Sequence, residues 1–485
     1  MYKDLYLHLK SDSEQVDQYI IPEGNRHMEV DEMTAKRHTR HVHIKIDTSS
    51  LFSSNGVQGL VDMAIRDHIS KKNTRITIAI ARGEEVRTEL TKGLESTIVG
   101  RFARFVATFG RENKQLELNV TGLSGMELSE AQHNILSTSV DLLLGHRFPL
   151  DALIADSYYL KKFGTSSFRD LRKLDLTLTD SGDSSSEFEL IHSNASTLQW
   201  LRVSMEVSAG FERLVRGAEE QPIAYPRLEE LTVVVTQQET QQSAERLMVG
   251  REHTPFPQLR QVDLGETAYP FGDDTLFRGN QATLAAVKMP MDRVLAAVLT
   301  ANRDGAPVLG SHTALYKFEI SGNIDETVAD DDDAWGLQQA ISANMLPQVT
   351  SLGITDIDLS GIFLDVVSTH ARFTRIQVLR LKMYPISVQE ALPLFGILRM
   401  LRVFESGVSE VGSTLSHMPT EMLAKYVRSI GPEHLYLREW QIYQAGSVNQ
   451  ELLLMSSMLL ALACPNARIV EVGGTSDDEY LLLDD

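Results

Sequence analysis

The chain has 485 residues, 42% of them hydrophobic and 23% charged, with 46 basic against 66 acidic side chains and a formal net charge of −20. That acidic surplus argues against general electrostatic attraction to nucleic acid or anionic lipid. The single cysteine, Cys464, excludes an internal disulfide framework and fits a reducing compartment, so cytoplasm or nucleus is expected.

The first ten residues lack the unbroken apolar core of a secretory signal. Strand-like alternation follows at residues 42–46, 76–80 and 116–120, and apolar-periodic stretches at 57–69 and 90–109 predict helices between them. Residues 1–145 therefore read as degenerate N-terminal repeats or an α/β cap.

From residue 171 a hexapeptide with apolar first, fourth and sixth slots keeps returning. Its clearest copies are Leu171-x-x-Leu174-x-Leu176, Leu198-x-x-Leu201-x-Val203, Leu228-x-x-Leu231-x-Val233 and Leu259-x-x-Val262-x-Leu264. Leu315-x-x-Phe318-x-Ile320, Val349-x-x-Leu352-x-Ile354, Ile376-x-x-Leu379-x-Leu381, Leu398-x-x-Leu401-x-Val403 and Ala467-x-x-Val470-x-Val472 follow. Weaker copies begin at Leu284 and Pro432, and the intervals run from 22 to 35 residues. Self-similarity at this period predicts a stacked repeat. Each copy predicts a short strand, with helices expected at 207–218, 361–370 and 449–464. Strands repeating in one direction pair in parallel. The expected fold is an α/β solenoid over residues 146–472, a horseshoe with its parallel sheet on the concave face and helices outside.

Three stretches interrupt the pattern. Residues 179–187 read as a Ser/Gly-rich loop, residues 323–334 carry the Asp330–Asp333 run, and residues 473–485 form an acidic tail. The run lacks the alternating oxygen donors of a calcium loop.

Phrases such as Phe168-Arg169-Asp170-Leu171-Arg172-Lys173-Leu174-Asp175-Leu176 and Phe256-Pro257-Gln258-Leu259-Arg260-Gln261-Val262 give the chain its cadence. In these it resembles the irregular leucine-rich repeat proteins, in particular the repeat region of fungal F-box members. The resemblance covers residues 165–472, and 35–145 loosely. It implies a non-enzymatic protein-interaction scaffold, the substrate-recognition part of a ubiquitin ligase. The alternatives are a GTPase-regulating repeat protein or an enzyme built on the repeat. Two departures stand out. The place nine residues after the first leucine, Asn or Cys in regular repeats, holds Asp180, Val207, Gln237, Ala268, Asp358 and Pro385, so no side-chain ladder and an uneven coil are expected. No F-box, whose leucine-proline helical signature belongs near the start, is found.

Chemistry-bearing motifs are sparse. His38, His41 and His43 cluster, and the last two share a face if the segment is a strand, but no third ligand completes a zinc set. The Gly407 to Gly412 spacing mimics a phosphate loop without its lysine. No catalytic residue, cofactor, metal or small-molecule substrate is indicated. The fifth and seventh hexapeptide slots point away from the core. In the C-terminal half they read Arg380, Lys382, Arg402, Phe404, Tyr436 and Arg438, with Trp440 next in parity. Arg, Tyr and Trp dominate protein–protein hot spots. This strip is the expected docking site for an acidic or flexible segment of a protein partner, with neither membrane nor nucleic acid as its ligand.

Overall fold

The computed structural model describes residues 2–9, 16–22, 41–63, 75–82, 90–108, 115–121, 128–145, 150–156, 160, 168–178, 185–205, 210–217, 221–235, 253–265, 270–271, 274–291, 308–322, 348–355, 375–386, 398–408, 425, 437–443 and 468–472. The chain divides into two compact units, Met1–Leu228 and Glu229–Asp485.

In the first unit the strands β1 (Tyr2–Leu9), β2 (Val16–Pro22), β3 (His41–Asp47), β4 (Arg75–Ala81), β5 (Gln115–Asn119), β6 (Leu150–Asp156), β7 (Lys173–Thr177) and β8 (Trp200–Met205) follow one another. From β3 to β8 each pairs in parallel with the next, an unbroken series that crosses residue 145. At the other edge β1 lies parallel to β3, and β2 closes on β1 antiparallel. This hairpin was not among the strands expected from alternation.

Period-two alternation explains the strands. Val42, Ile44 and Ile46 on β3 and Ile76, Ile78 and Ile80 on β4 are each at most 2% exposed, while the residues between them are half-buried or exposed. The expected helices form as α2 (Ser54–Met63) and α3 (Lys92–Thr108), preceded by the single turn α1 (Thr48–Leu51) and followed by α4 (Glu130–Gly145). They bury Val57, Leu60, Ile98, Phe102, Phe105, Val106, Ile135 and Leu136. Close packing of α2 on α1 needs Gly56, where a Cβ would stand 2.4 Å from the Ser50 carbonyl oxygen. Two more helices, α5 (Ser185–Ser193) and α6 (Gly210–Val215), serve the last coils of this unit. Thus Ser185, Ser186 and Glu187, expected in a loop, begin a helix whose face buries Phe188, Leu190 and Ile191.

In the second unit β9 (Glu230–Val235), β10 (Gln261–Asp263), β11 (Ala286–Met291), β12 (Lys317–Gly322), β13 (Ser351–Thr355), β14 (Val378–Ile386), β15 (Val403–Val408), β16 (Glu439–Tyr443) and β17 (Arg468–Val472) pair in sequence order, all parallel. The fold is therefore α/β, with a parallel, repeat-like sheet in each unit. The described returns of this unit hold 3-10 turns, Thr275–Phe277 and Val308–Ser311, rather than helices. The helices expected at 361–370 and 449–464, and the Asp330–Asp333 run, lie outside the described residues. No described helix is long and apolar enough to cross a membrane.

The hexapeptides set the register. Leu231, Val262, Val287, Phe318, Leu352 and Leu379, all fourth-slot residues, are partners across successive strands. The three final copies are corrected. Leu379 pairs with Phe404, Phe404 with Trp440, and Trp440 with Ile469, so the true hexapeptides start at Leu401, Leu437 and Asn466. Leu398, Leu401 and Phe404 recur every third residue and fit the pattern in two ways; burial picks one, since Phe404 is 0% exposed and Val403 only half-buried.

Buried polar side chains do tie the coils together, four residues before the first leucine rather than nine after it. Asn194, four residues before Leu198, donates from Nδ2 to the Phe168 and Leu190 carbonyls at 3.0 and 2.9 Å and accepts from the Leu171 amide at 3.0 Å. Asn280, four before Leu284, repeats this toward the Phe256 and Leu276 carbonyls at 3.3 and 2.8 Å. Thr197 and Thr283 add hydroxyl bonds to the Leu171 and Leu259 carbonyls of the preceding coil, 2.9 and 3.0 Å. His312 holds the same station in the next coil, with Nε2 3.2 Å from both the Phe277 carbonyl and Asn280 Oδ1. Buried polar groups are tolerated when bonded this fully.

Candidate interaction surface

Opposite the apolar face, each sheet turns a polar face outward. In the second unit its central row follows the register through Thr232, Asp263, Lys288, Glu319, Gly353, Arg380 and Glu405. Charges alternate along it. Lys288 Nζ lies 3.8 Å from Asp263, and Arg380 Nε donates to Glu405 Oε1 at 2.9 Å. A Cβ on Gly353 would meet Glu319 Cγ at 2.8 Å, so the Glu319 side chain lies across the glycine. Opposite charges facing one another across strands are the sheet's ordinary form of side-chain stabilisation.

That row dissolves the expected cationic strip. Arg380 is on the outer face but is neutralised by Glu405, whose side chain is 7% exposed. Phe404 is in the core. Trp440 takes the register position of Phe404, on the core parity rather than the outer one. Lys382 pairs with Thr355 in the backbone register. The side chains of Lys382 and Trp440, and all of Tyr436, lie outside the described residues. Arg402 and Arg438 are exposed, but at the start of their strands rather than on the face. Arg402 and Phe404 changed place because their hexapeptide starts three residues later than the spacing implied, and Arg438 and Trp440 because theirs starts five later.

In the first unit the outer face gathers residues distant in sequence. The register places His41, Arg75 and Gln115 in one row, and His43, Thr77, Glu117 and Ala152 in the next. His41 and His43 do share a face, with ring centroids 3.8 Å apart and planes tilted by 39°. His41 Nε2 is 2.8 Å from Thr77 Oγ1, which is 2.7 Å from Glu117 Oε2, and the Arg75 guanidinium binds Glu117 Oε1. A carboxylate only accepts, so the Thr77 hydroxyl donates to Glu117 and the His41 Nε2–H donates to Thr77. The order is the reverse of a nucleophile triad: the hydroxyl gives its proton toward the acid, not toward the imidazole. Burial opposes the Glu117 charge, but the Thr77 bond, the Arg75 guanidinium and His41 outweigh it and hold its carboxyl below the usual value. His38 lies outside the described residues. Among the described residues no group of three or more His, Cys, Asp or Glu side chains is placed to hold a metal ion. Sequence spacing could not reveal this cluster, because 42 residues separate Arg75 from Glu117.

Farther along the same face Asp175 stands opposite Arg202. Burial pushes the Asp175 carboxyl up, against the pull of that arginine.

A second feature runs along the start of the strands. At Arg172 and in the hexapeptides from Leu228 to Leu401, the carbonyl of the second residue accepts two amides from the next coil. In the second unit Glu229 receives Arg260 and Gln261, Arg260 receives Ala285 and Ala286, and Ala285 receives Tyr316 and Lys317. Tyr316, Thr350, Gln377 and Arg402 continue the series, the last receiving Arg438 at 2.8 Å and Glu439 at 3.1 Å. Second-slot residues therefore form a rim with one residue per strand.

No protein-family model matches the chain, and no curated protein matches it in sequence.

Proposed function

We propose that the chain is a non-enzymatic protein-interaction scaffold. On this reading it is an irregular leucine-rich repeat protein whose coils form a horseshoe, and it acts in the cytoplasm or nucleus. The observation that supports it most is the repeated parallel register, which in the second unit presents a row of polar side chains on successive strands, interrupted at Gly353. Repeat arrays offer extended binding surfaces of this kind. The outer-face groups of the first unit are engaged with one another in the order carboxylate, hydroxyl, imidazole, an arrangement suited to recognition more than to turnover. The resemblance to F-box repeat proteins makes a substrate receptor of a ubiquitin ligase the specific form of the proposal.

Cross-linking of the full chain to co-purifying protein, read by mass spectrometry, tests it. Lys173, Lys288 and Lys317 stand on outer-face register positions, whereas Lys92 begins a helix. Cross-links to a stoichiometric partner should concentrate on the first three. A chain that purifies alone, or whose cross-links favour Lys92, would sink the proposal. Co-purification of a cullin-ligase adaptor would sharpen it to a ligase receptor.

A further inference from the structure

The rim of the last described coils carries an unusual charge. Arg402 and Arg438 are second-slot residues on neighbouring strands, joined by the Arg438 amide to Arg402 carbonyl bond of 2.8 Å. Neighbouring strands lie about 4.8 Å apart, so the two side chains leave the rim side by side. Gln377 precedes them in the series, with Arg375 two residues before it, and Arg399 and Met400 lead into Leu401. Arg375, Arg399, Arg402 and Arg438 are all exposed, and Met400 is 39% exposed. Among the described residues none of the four arginines enters an ion pair. The contrast lies within the same unit. Arg260, on the same rim, has Glu229 at 3.4 Å, and Arg380 on the sheet face has Glu405. Four exposed arginines at the starts of three neighbouring strands, with the exposed Met400 next to Arg399 in the chain, form a local reversal of sign on a chain of net charge −20.

We propose that this rim docks an acidic peptide segment of a protein partner. Arg375, Arg399, Arg402 and Arg438 take its carboxylates, and Met400 takes an apolar side chain between them. The proposal rests on the scaffold reading and gives that reading a partner chemistry. Guanidinium groups match carboxylates two bonds at a time, which suits a row of them to Asp and Glu side chains. A nucleic acid fits less well, because its dense phosphate charge meets the repulsion of the whole acidic chain. Exposed ion pairs are screened by salt, so binding should weaken as ionic strength rises.

The test uses the full chain and a fluorescein-labelled twelve-residue peptide of alternating Glu and Asp flanking a central Leu, followed by polarisation at low and physiological salt. A Gln/Asn peptide of the same length and a single-stranded oligonucleotide of the same charge serve as comparisons. The acidic peptide should bind, the neutral one should not, and R402E/R438E should weaken binding at least tenfold while R260E leaves it within twofold. An unchanged thermal melt for R402E/R438E shows that the variant is folded. No binding at low salt, an equal loss with R260E, or tighter binding of the oligonucleotide overturns the proposal. So does peptide binding seen only when Asp477, Asp478 and Glu479 of the tail are neutralised to Asn, Asn and Gln, which assigns the rim to the chain's own tail. A partner still captured by cross-linking when the peptide fails to bind leaves the scaffold reading standing and removes only this one.

Discussion

Between β3 and β5 the chain returns through helices of 10 and 17 residues, whereas between β10 and β12 its described returns are short 3-10 turns pinned by Asn280 and His312. A helix satisfies its own backbone and offers the sheet a stripe of side chains, here Val57, Leu60, Ile98 and Phe102. A tight return has no such ladder of its own. Its carbonyls point into the core, and a buried polar side chain has to meet them. Asn280 and His312, each at most 1% exposed, do this in the second unit, and Asn194 meets the last turn of helix α5 in the same way. One strand rule is thus served by two kinds of return, one apolar and one polar, and they should fail differently.

The largest expected effect concerns the strand rule itself. Phe404→Ala should cost about 3–5 kcal/mol in urea unfolding, as for a large buried side chain, and Val403→Ala about 1 kcal/mol or less. A reversed order would restore the uncorrected register. Next comes the polar return. Asn280→Ala strips donors from two buried carbonyls and an acceptor from His312, and should cost about 2–4 kcal/mol. Its counterpart in a helical return is Ser139 on α4, whose buried hydroxyl has no partner among the described residues. Ser139→Ala should be close to neutral, and equal losses at the two sites would erase the distinction between the returns.

Gly56→Ala sharpens the comparison from the helical side. Its Cβ meets backbone, not the end of a flexible side chain, so α1 and α2 must separate, at a cost of about 1–3 kcal/mol. A melt unchanged by this substitution would show that the two helices are not packed so closely.

The smallest effect is a pH dependence. Both ring nitrogens of His312 face oxygen acceptors, Nδ1 the Val308 carbonyl at 3.1 Å and Nε2 the Phe277 carbonyl, and a neutral ring donates to only one side. Burial pushes its pKa below the ordinary histidine value, although the Phe277, Val308 and Leu309 carbonyls pull the other way. Between the folded and unfolded values the unfolded chain therefore binds more protons. The stability His312 contributes is fully present above about pH 6.5 and is lost as pH falls from there toward the folded value. His312→Asn should flatten that limb of the stability profile. If the limb steepens or persists, another group carries it.

Much of this was legible because a period-two strand repeated every coil leaves the same mark each time. Leu231, Val262, Val287, Phe318, Leu352 and Leu379 were aligned correctly from spacing alone. The register was lost where apolar residues fall every third place, as at Leu398, Leu401 and Phe404, because the pattern then fits itself after a three-residue slip. With it went the docking strip, since an odd shift carries every side chain to the other face. The Asn ladder was sought nine residues after the first leucine. Its real signature, Asn-x-x-Thr-Leu at Asn194 to Leu198 and again at Asn280 to Leu284, was in plain view but has no meaning until one knows where the chain turns. The cluster joining His41, Thr77, Glu117 and Arg75 has no local signature at all, because it exists only across three strands.

The doubly accepting carbonyls along the rim make the coil a countable unit. Each second-slot oxygen, from Glu229 to Arg402, offers the same seat to whatever pair of amides comes next. Splicing the chain from Glu229 to Gln261, so that one coil is excised whole, presents the Ala285 and Ala286 amides with an equivalent seat and keeps every later strand on its parity. A deletion of the same length begun mid-coil does not. Lineages that lengthen or shorten such a protein should therefore do so in whole turns, with their breakpoints at matching rungs.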